Sequence, residues 1–205
     1  FANEIAATYN LAWDNLSISH NDFIRTTEQR HKDVVKDLML KLKEAKTPLG
    51  NDAIFKDTYE GLYCVGCESY KVETDLDDQG RCPDHLTVPE KLSEENWFFR
   101  LSDFTDVLKK LLEQGEYDIQ PDTRKNEVLG LLNEGLKDLA ISRTSVEWGI
   151  QIPWDEKQTI YVWVEALMNY ISALGGTEGD KFKEFWPASC HLMSKYILKF
   201  HAVIW

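Results

Sequence analysis

The clearest chemistry in this sequence sits in two short boxes, Cys64-Val65-Gly66-Cys67 and, fourteen residues further on, Cys82-Pro83-Asp84-His85. A C-x2-C turn presents two thiolates from one tight loop, and a C-x2-H turn adds a third sulfur and an imidazole. Together Cys64, Cys67, Cys82 and His85 can complete a tetrahedral shell around zinc. Four protein ligands leave no position for water or substrate, so such a site is structural. The alternative is three unrelated thiols, free or with one disulfide, and a surface histidine; the paired spacing favours the metal. No Ser/His/Asp or Cys/His nucleophile arrangement is visible. Cys190 and His191 are adjacent, and neighbours in a strand point to opposite faces.

The elements that must position these residues change character along the chain. Phe1, Ile5, Tyr9, Ala12, Trp13 and Leu16 recur at helical steps and predict an amphipathic helix. Thr26-Thr27-Glu28-Gln29 reads as a capping box before a second helix through Val34, Val35, Leu38, Met39 and Leu42. That helix should stop near Ala45, because Thr47-Pro48-Leu49-Gly50-Asn51 is turn chemistry. Ile54 to Tyr63 is β-like and runs into the first box. The spacer from Glu68 to Arg81 should be a small knuckle turning at Asp77-Asp78-Gln79-Gly80. Val88 to Leu101 reads as irregular, with Trp97, Phe98 and Phe99 anchoring the knuckle to a larger body.

Two more helices are expected, one from Ser102 or Asp103 burying Phe104, Val107, Leu108, Leu111 and Leu112. The other follows Pro121-Asp122 and buries Val128, Leu132 and Leu136. Thr159 to Val164 is a β-branched and aromatic run, the pattern of a strand buried on both faces. It passes into a helical pattern over 165–174 that ends at Gly175-Gly176. Ser189 to Met193 is a second candidate strand. Strand, helix, strand, helix predicts a parallel sheet in an α/β fold, with a ligand crevice at the carboxyl ends of the strands.

Bulk properties narrow the function classes. The 205 residues, 43% hydrophobic and with seven tryptophans, suit one core plus a small satellite module rather than disorder. No apolar run approaches the ~20 residues of a membrane span. No signal peptide is read at Phe1, and the absent initiator methionine suggests a piece of a longer chain. Three cysteines committed to the boxes suit a reducing compartment. Net charge is −12, and Glu68 to Glu95 alone carries nine acidic and three basic residues. Such a surface repels phosphate, so composition gives no support to nucleic-acid binding.

Several blocks carry a resemblance. They are Asp22-Phe23-Ile24-Arg25-Thr26-Thr27-Glu28, Tyr59-Glu60-Gly61-Leu62-Tyr63-Cys64, Glu95-Asn96-Trp97-Phe98-Phe99-Arg100-Leu101-Ser102, Ile141-Ser142-Arg143-Thr144, Trp148-Gly149-Ile150, Tyr161-Val162-Trp163, Asn169 to Gly175, and Phe200-His201-Ala202-Val203-Ile204-Trp205. In that order along almost the whole chain they resemble the methionyl-tRNA synthetase family, in its bacterial or organellar pattern. The resemblance implies a class I synthetase: a Rossmann-like nucleotide-binding fold, here partial, interrupted by a connective-peptide insertion with a small zinc knuckle. Residues 1–45 and 160–205 would belong to the catalytic fold and 46–159 to the insertion, with the knuckle near 60–90. The implied activity joins methionine to ATP, with magnesium, as methionyl-adenylate and transfers it to tRNA(Met) in the cytoplasm or an organellar matrix.

The same resemblance assigns Trp163, Ala166, Tyr170, Ile197, Phe200, His201 and Trp205 to a methionine pocket. His191, Ser194 and Lys195 fall on a segment near the adenylate. There the chain departs from the family's Gly-Lys-Asp: Ser194 replaces glycine and Tyr196 replaces aspartate. Glu165 stands for an expected aspartate, and Gln151 for a proline or acidic residue. These departures bear on nucleotide contacts more than on methionine. Met193-Ser194-Lys195 is not the Lys-Met-Ser-Lys-Ser signature, which is expected beyond Trp205, as the His-Ile-Gly-His type motif is expected before Phe1. No residue of the chain is therefore given a catalytic role, and recognition of tRNA would fall to a helical domain elsewhere. The alternatives are a non-catalytic zinc-stabilised binding module, or a class I synthetase for leucine, valine or cysteine.

Overall fold

The computed structural model describes residues 1–67 and 69–205, without the side chains of Tyr59, Glu60, Ser69, Tyr70 and Leu92. Glu68, with which the knuckle spacer begins, lies outside the described residues.

The first helical pattern forms α1 (Ala2–Asn15), yet buries none of its residues; Phe1, Ile5, Tyr9 and Leu16 are exposed. The second forms α2 (Gln29–Glu44), with His31, Val35 and Met39 on its buried face. The capping box does not form: Glu28 is the N-cap and makes no side-chain capping bond. Its carboxylate is instead held by Arg30, which also grips Asp22 through both terminal nitrogens at 2.6 and 2.8 Å. α2 ends where turn chemistry begins, and Gly50 takes the left-handed conformation (φ 85°) that an L side chain resists.

Strand β1 (Ile54–Cys64) follows, and pairs over ten residues, Ile54↔Phe99 to Tyr63↔Glu90, with β3 (Glu90–Phe99). The stretch expected to be irregular is thus a long strand. Its polar composition disguised it, because most of this two-stranded ribbon projects into solvent. The ribbon's far end carries the knuckle, since β1 pairs with the short β2 (Ser69–Lys71) across the Cys64–Cys67 turn. At its near end Phe98 and Phe99 pair with β4 (Leu139–Ala140).

Helices α3 (Thr105–Gln114) and α4 (Asp122–Glu134) pack Leu112, Val128 and Leu132 into one core with Leu101, Ile119, Leu198, Ala202 and Val203. Of the residues expected to be buried there, Val107 is 40% exposed. A second small sheet, ordered β5 (Ser142–Arg143), β7 (Asp155–Ile160), β6 (Gln151–Ile152), faces Val35, Met39, Ile54 and Met168 in the other core. A buried polar chain ties the sheets together. Trp97 N–H donates to Ser142 Oγ at 2.8 Å, Ser142 donates to Gln158, and Gln158 Nε2–H donates to the Glu95 carbonyl at 2.9 Å.

The final third differs from its sequence pattern. The strand β7 stops at Ile160, and α5 (Val162–Leu167) begins at once, so Trp163 and Val164 are helical. α6 (Asn169–Ser172) and α7 (Asp180–Phe185) follow. Residues 189–193 form no strand, and every strand pairing among the described residues is antiparallel. The expected parallel sheet is absent from the described residues. Of the run read as a strand buried on both faces, Thr159 and Ile160 are buried in β7, whereas Val162 opens the helix half exposed; strand and helix draw on the same residue types. The architecture is a mixed α/β body with a projecting metal-box ribbon. No described helix is long and apolar enough to cross a membrane.

Candidate functional site

The two boxes meet at the tip of the ribbon. Each is a hydrogen-bonded turn: Cys64–Cys67 closes β1 onto β2, and the Cys82 N–H and carbonyl bond Thr87 and Leu86 at 2.8 Å. The spacer turns where expected, with Gly80 N–H donating to the Asp77 carbonyl at 2.8 Å. The ligand atoms of Cys64, Cys67, Cys82 and His85 all lie within 4.8 Å of one another. Cys67 Sγ is 3.5 Å from Cys82 Sγ and 3.2 Å from His85 Nδ1, which is 3.8 Å from both Cys64 and Cys82. A tetrahedral shell with Zn–S about 2.3 Å and Zn–N about 2.0 Å has edges of roughly 3.4–3.8 Å. The donor set and its spacing therefore fit a closed four-coordinate metal site, to which His85 would offer Nδ1.

Two local features prepare it. Gly66 lies so close to the imidazole that a Cβ there would stand 2.5 Å from His85 Cδ2. The bond from His85, with help from backbone amides, brings the Cys82 thiol down to about 6, whereas desolvation and its sulfur neighbours push Cys67 up to about 11. A metal cation bound by these sulfurs would displace any thiol protons that remain on them.

The second centre is aromatic. Trp163 on α5 lies flat on Phe200, ring centroids 4.0 Å apart and planes 11° from parallel. Tyr170 on α6 meets three rings: His191 edge-on at 4.6 Å, His201 at 5.7 Å and Trp205 at 5.7 Å. His201 Nδ1 is 3.0 Å from the Ile197 carbonyl, which can only accept, so Nδ1 carries the hydrogen. Nε2 is then the acceptor, and Tyr170 O–H donates to it at 2.8 Å. Burial raises the Tyr170 pKa, keeping the phenol protonated at neutral pH. Five of the seven residues assigned by resemblance to one pocket make ring contacts, in two sets: Trp163 with Phe200, and Tyr170 with His201 and Trp205; Ile197 contributes its carbonyl to His201, and the half-buried Ala166 its carbonyl to Asn169.

Two hollows adjoin these rings. A cavity of about 540 Å³ is walled by His191, His201 and Trp205 together with Met39, Met168 and Trp186; Trp163, Tyr170 and Phe200 are not among its lining residues. Trp186 was not singled out by sequence reasoning, yet its ring meets Trp205 at 5.8 Å and His191 at 6.3 Å. It stands in a loop where no spacing marks it. A second hollow of about 630 Å³ is lined by His191, Ser194 and Lys195, facing Asp118 and Arg124. Burial first, and then the neighbouring His201, lowers the His191 pKa. Ser194 Oγ accepts from Tyr196 N–H at 3.4 Å, and Tyr196 is 81% exposed.

The fold and site define a mixed α/β protein with a Cys3His cluster suited to a metal ion and aromatic rings beside two hollows. Residues 1–88 and 85–205 match the family described as tRNA synthetases class I (M), and the chain belongs to that methionyl-tRNA synthetase family. It is 44% identical over 201 residues to the methionine–tRNA ligase of Streptomyces coelicolor, covering 94% of this chain and 36% of that protein. With the methionine–tRNA ligase of Clostridium acetobutylicum it shares 45% identity over 208 residues, covering 100% of this chain and 31% of the other. The crystal structure of Mycobacterium tuberculosis methionyl-tRNA synthetase bound by methionyl-adenylate superposes with a TM-score of 0.85 at 37% identity, over 100% of this chain and 40% of that one. The chain thus spans about a third of the length of these relatives.

Proposed function

We propose that this chain forms the amino-acid-recognising part of a methionine–tRNA ligase, which activates methionine with ATP and magnesium as methionyl-adenylate and transfers it to tRNA(Met). The observation that carries this is identity of 44–45% to methionine–tRNA ligases across 94–100% of the chain. Residues 1–45 and 160–205 are read as parts of a Rossmann-like catalytic fold and 46–159 as the connective-peptide insertion. Methionine is placed among Trp163, Ala166, Tyr170, Ile197, Phe200, His201 and Trp205. A thioether is long, apolar and polarizable, and its sulfur gains about 0.3–1.5 kcal/mol against each aromatic edge. The joined Tyr170 and His201 give the cluster a polar point that distinguishes sulfur from a plain methylene. Nucleotide is placed in the hollow of His191, Ser194 and Lys195, whose ammonium group suits a phosphate.

Zinc is placed among Cys64, Cys67, Cys82 and His85; held there it cross-links the knuckle and offers no open position for chemistry. The compartment is read as cytoplasm or an organellar matrix. No residue here takes a bond-making role. Methionine-dependent exchange of labelled pyrophosphate into ATP by the intact protein tests the proposal. Exchange with methionine, and not with leucine, valine or cysteine, is expected. Exchange driven by one of those three would reassign the substrate. No exchange with any amino acid would favour a zinc-stabilised binding module, the reading that Ser194 and Tyr196 motivate.

A further inference from the structure

A buried polar bridge lies behind the ring cluster. His31 on α2 is fully buried, and its two ring nitrogens reach two different short helices. Nε2 is 2.8 Å from Glu165 Oε2 on α5, and Nδ1 is 2.8 Å from Ser172 Oγ on α6. A carboxylate oxygen only accepts, so the Nε2–H donates to Glu165. Ser172 is itself 1% exposed. These partners lie 134 and 141 residues from His31 in the chain.

What lies between the two helices gives the bridge its meaning. α5 and α6 are separated at Met168, whose ψ of −6° departs from the roughly −42° of an α-helix. At about 100° per residue, Trp163, Ala166 and Tyr170 share one stripe of this broken helix. Glu165 and Ser172 fall on the opposite stripe, about 180–200° from Trp163. Glu165 precedes the break and Ser172 follows it. One imidazole bonded to both therefore spans the break from behind. A leucine of similar volume would fill the space without the desolvation cost of three polar groups. What the polar groups contribute is direction.

We infer that His31 is a positioning residue: by holding Glu165 and Ser172 across the break at Met168, it sets the spacing between Trp163 and Tyr170 and so the width of the site for a methionine side chain. The inference rests on the proposed methionine reading and assigns His31 no contact with substrate. The single-arm variants separate the bridge from simple filling. His31→Asn places an amide near Nδ1 and keeps Ser172 alone, whereas His31→Gln places one near Nε2 and keeps Glu165 alone. His31→Leu keeps neither.

The test is calorimetric titration of the intact protein and these variants with methionine and with its S-ethyl homologue, each well below its own melting transition. Wild type should prefer methionine. All three variants should lose roughly tenfold to a hundredfold in methionine affinity, the range expected for small misplacement of a recognising group. The preference over the S-ethyl homologue should narrow in parallel, which loss of stability alone does not cause. Unchanged affinity and preference in the variants would overturn the inference. If His31→Leu does not fold, the two single-arm variants decide. If wild type binds no methionine, the methionine reading falls, and hydrogen exchange over 162–172 then judges the bridge: faster exchange in both single-arm variants supports it, and exchange unchanged from wild type overturns it.

Discussion

Tyr170 donates its hydroxyl hydrogen to His201 Nε2 at 2.8 Å, and both rings belong to a cluster that Trp205 completes. The bond fixes the imidazole orientation from one side, as the Ile197 carbonyl does from the other at 3.0 Å. An aromatic group so restrained would present one fixed surface to an arriving side chain, with less ordering left to do on binding.

Tyr170→Phe keeps the ring contacts and removes the donor. We expect methionine affinity to fall by up to roughly tenfold, the worth of one neutral hydrogen bond of about 0.5–1.5 kcal/mol. Calorimetric titration checks this, and an unchanged affinity would remove the phenol from the recognition scheme.

Gly66→Ala should disable the metal centre without touching a ligand. The added Cβ would lie 2.5 Å from His85 Cδ2 and 2.6 Å from Cγ, so the ring or the turn must move. Displacing one ligand of a closed shell should weaken zinc by about tenfold or more. Competition against a coloured chelator measures it. Gly80→Ala, which meets nothing within 4 Å but sits at φ 71°, should cost far less in zinc affinity.

Removing zinc should loosen the knuckle and leave the ring cluster in place. Binding energy at a structural zinc site is folding energy for the segment it holds. Hydrogen exchange should accelerate between Tyr63 and Val88 after chelation and stay unchanged over 162–172. Acceleration in both would mean that the ribbon and the body fold as one unit.

The pH dependence follows from His191. Burial, and next the nearby His201, hold its pKa below the usual 6.5, so the unfolded chain takes up its proton first. Stability from this group is therefore complete above about 6.5 and declines as pH falls through that value. Thermal melts between about pH 5 and 7.5 should show the decline in wild type and a flatter profile in His191→Gln. An identical slope in both would contradict the assignment.

Local patterns made part of this molecule legible in its sequence. α2 stops at Glu44 because Thr47-Pro48 cannot continue it, and the two boxes meet because each is a self-contained turn. β3 escaped detection because Glu90, Glu94 and Glu95 look like a loop when a strand's faces meet water. The run from Tyr161 to Val164 reads as strand by residue type, yet packing against Phe200 makes it the start of a helix. The bridge through His31 joins residues more than 130 positions apart, and Trp186 enters the cluster from a loop; neither leaves a periodic trace. Glu165, noticed only as a departure from the family pattern, turns out to be a partner of His31.

The most direct measurement is a methionine titration of the intact protein followed by tryptophan fluorescence, repeated with Trp163→Phe. The account predicts a saturable change in wild type, because indoles at 163 and 205 stand in the proposed site, and a smaller change when Trp163 is gone. No response to methionine, or an equal response to leucine, would contradict it.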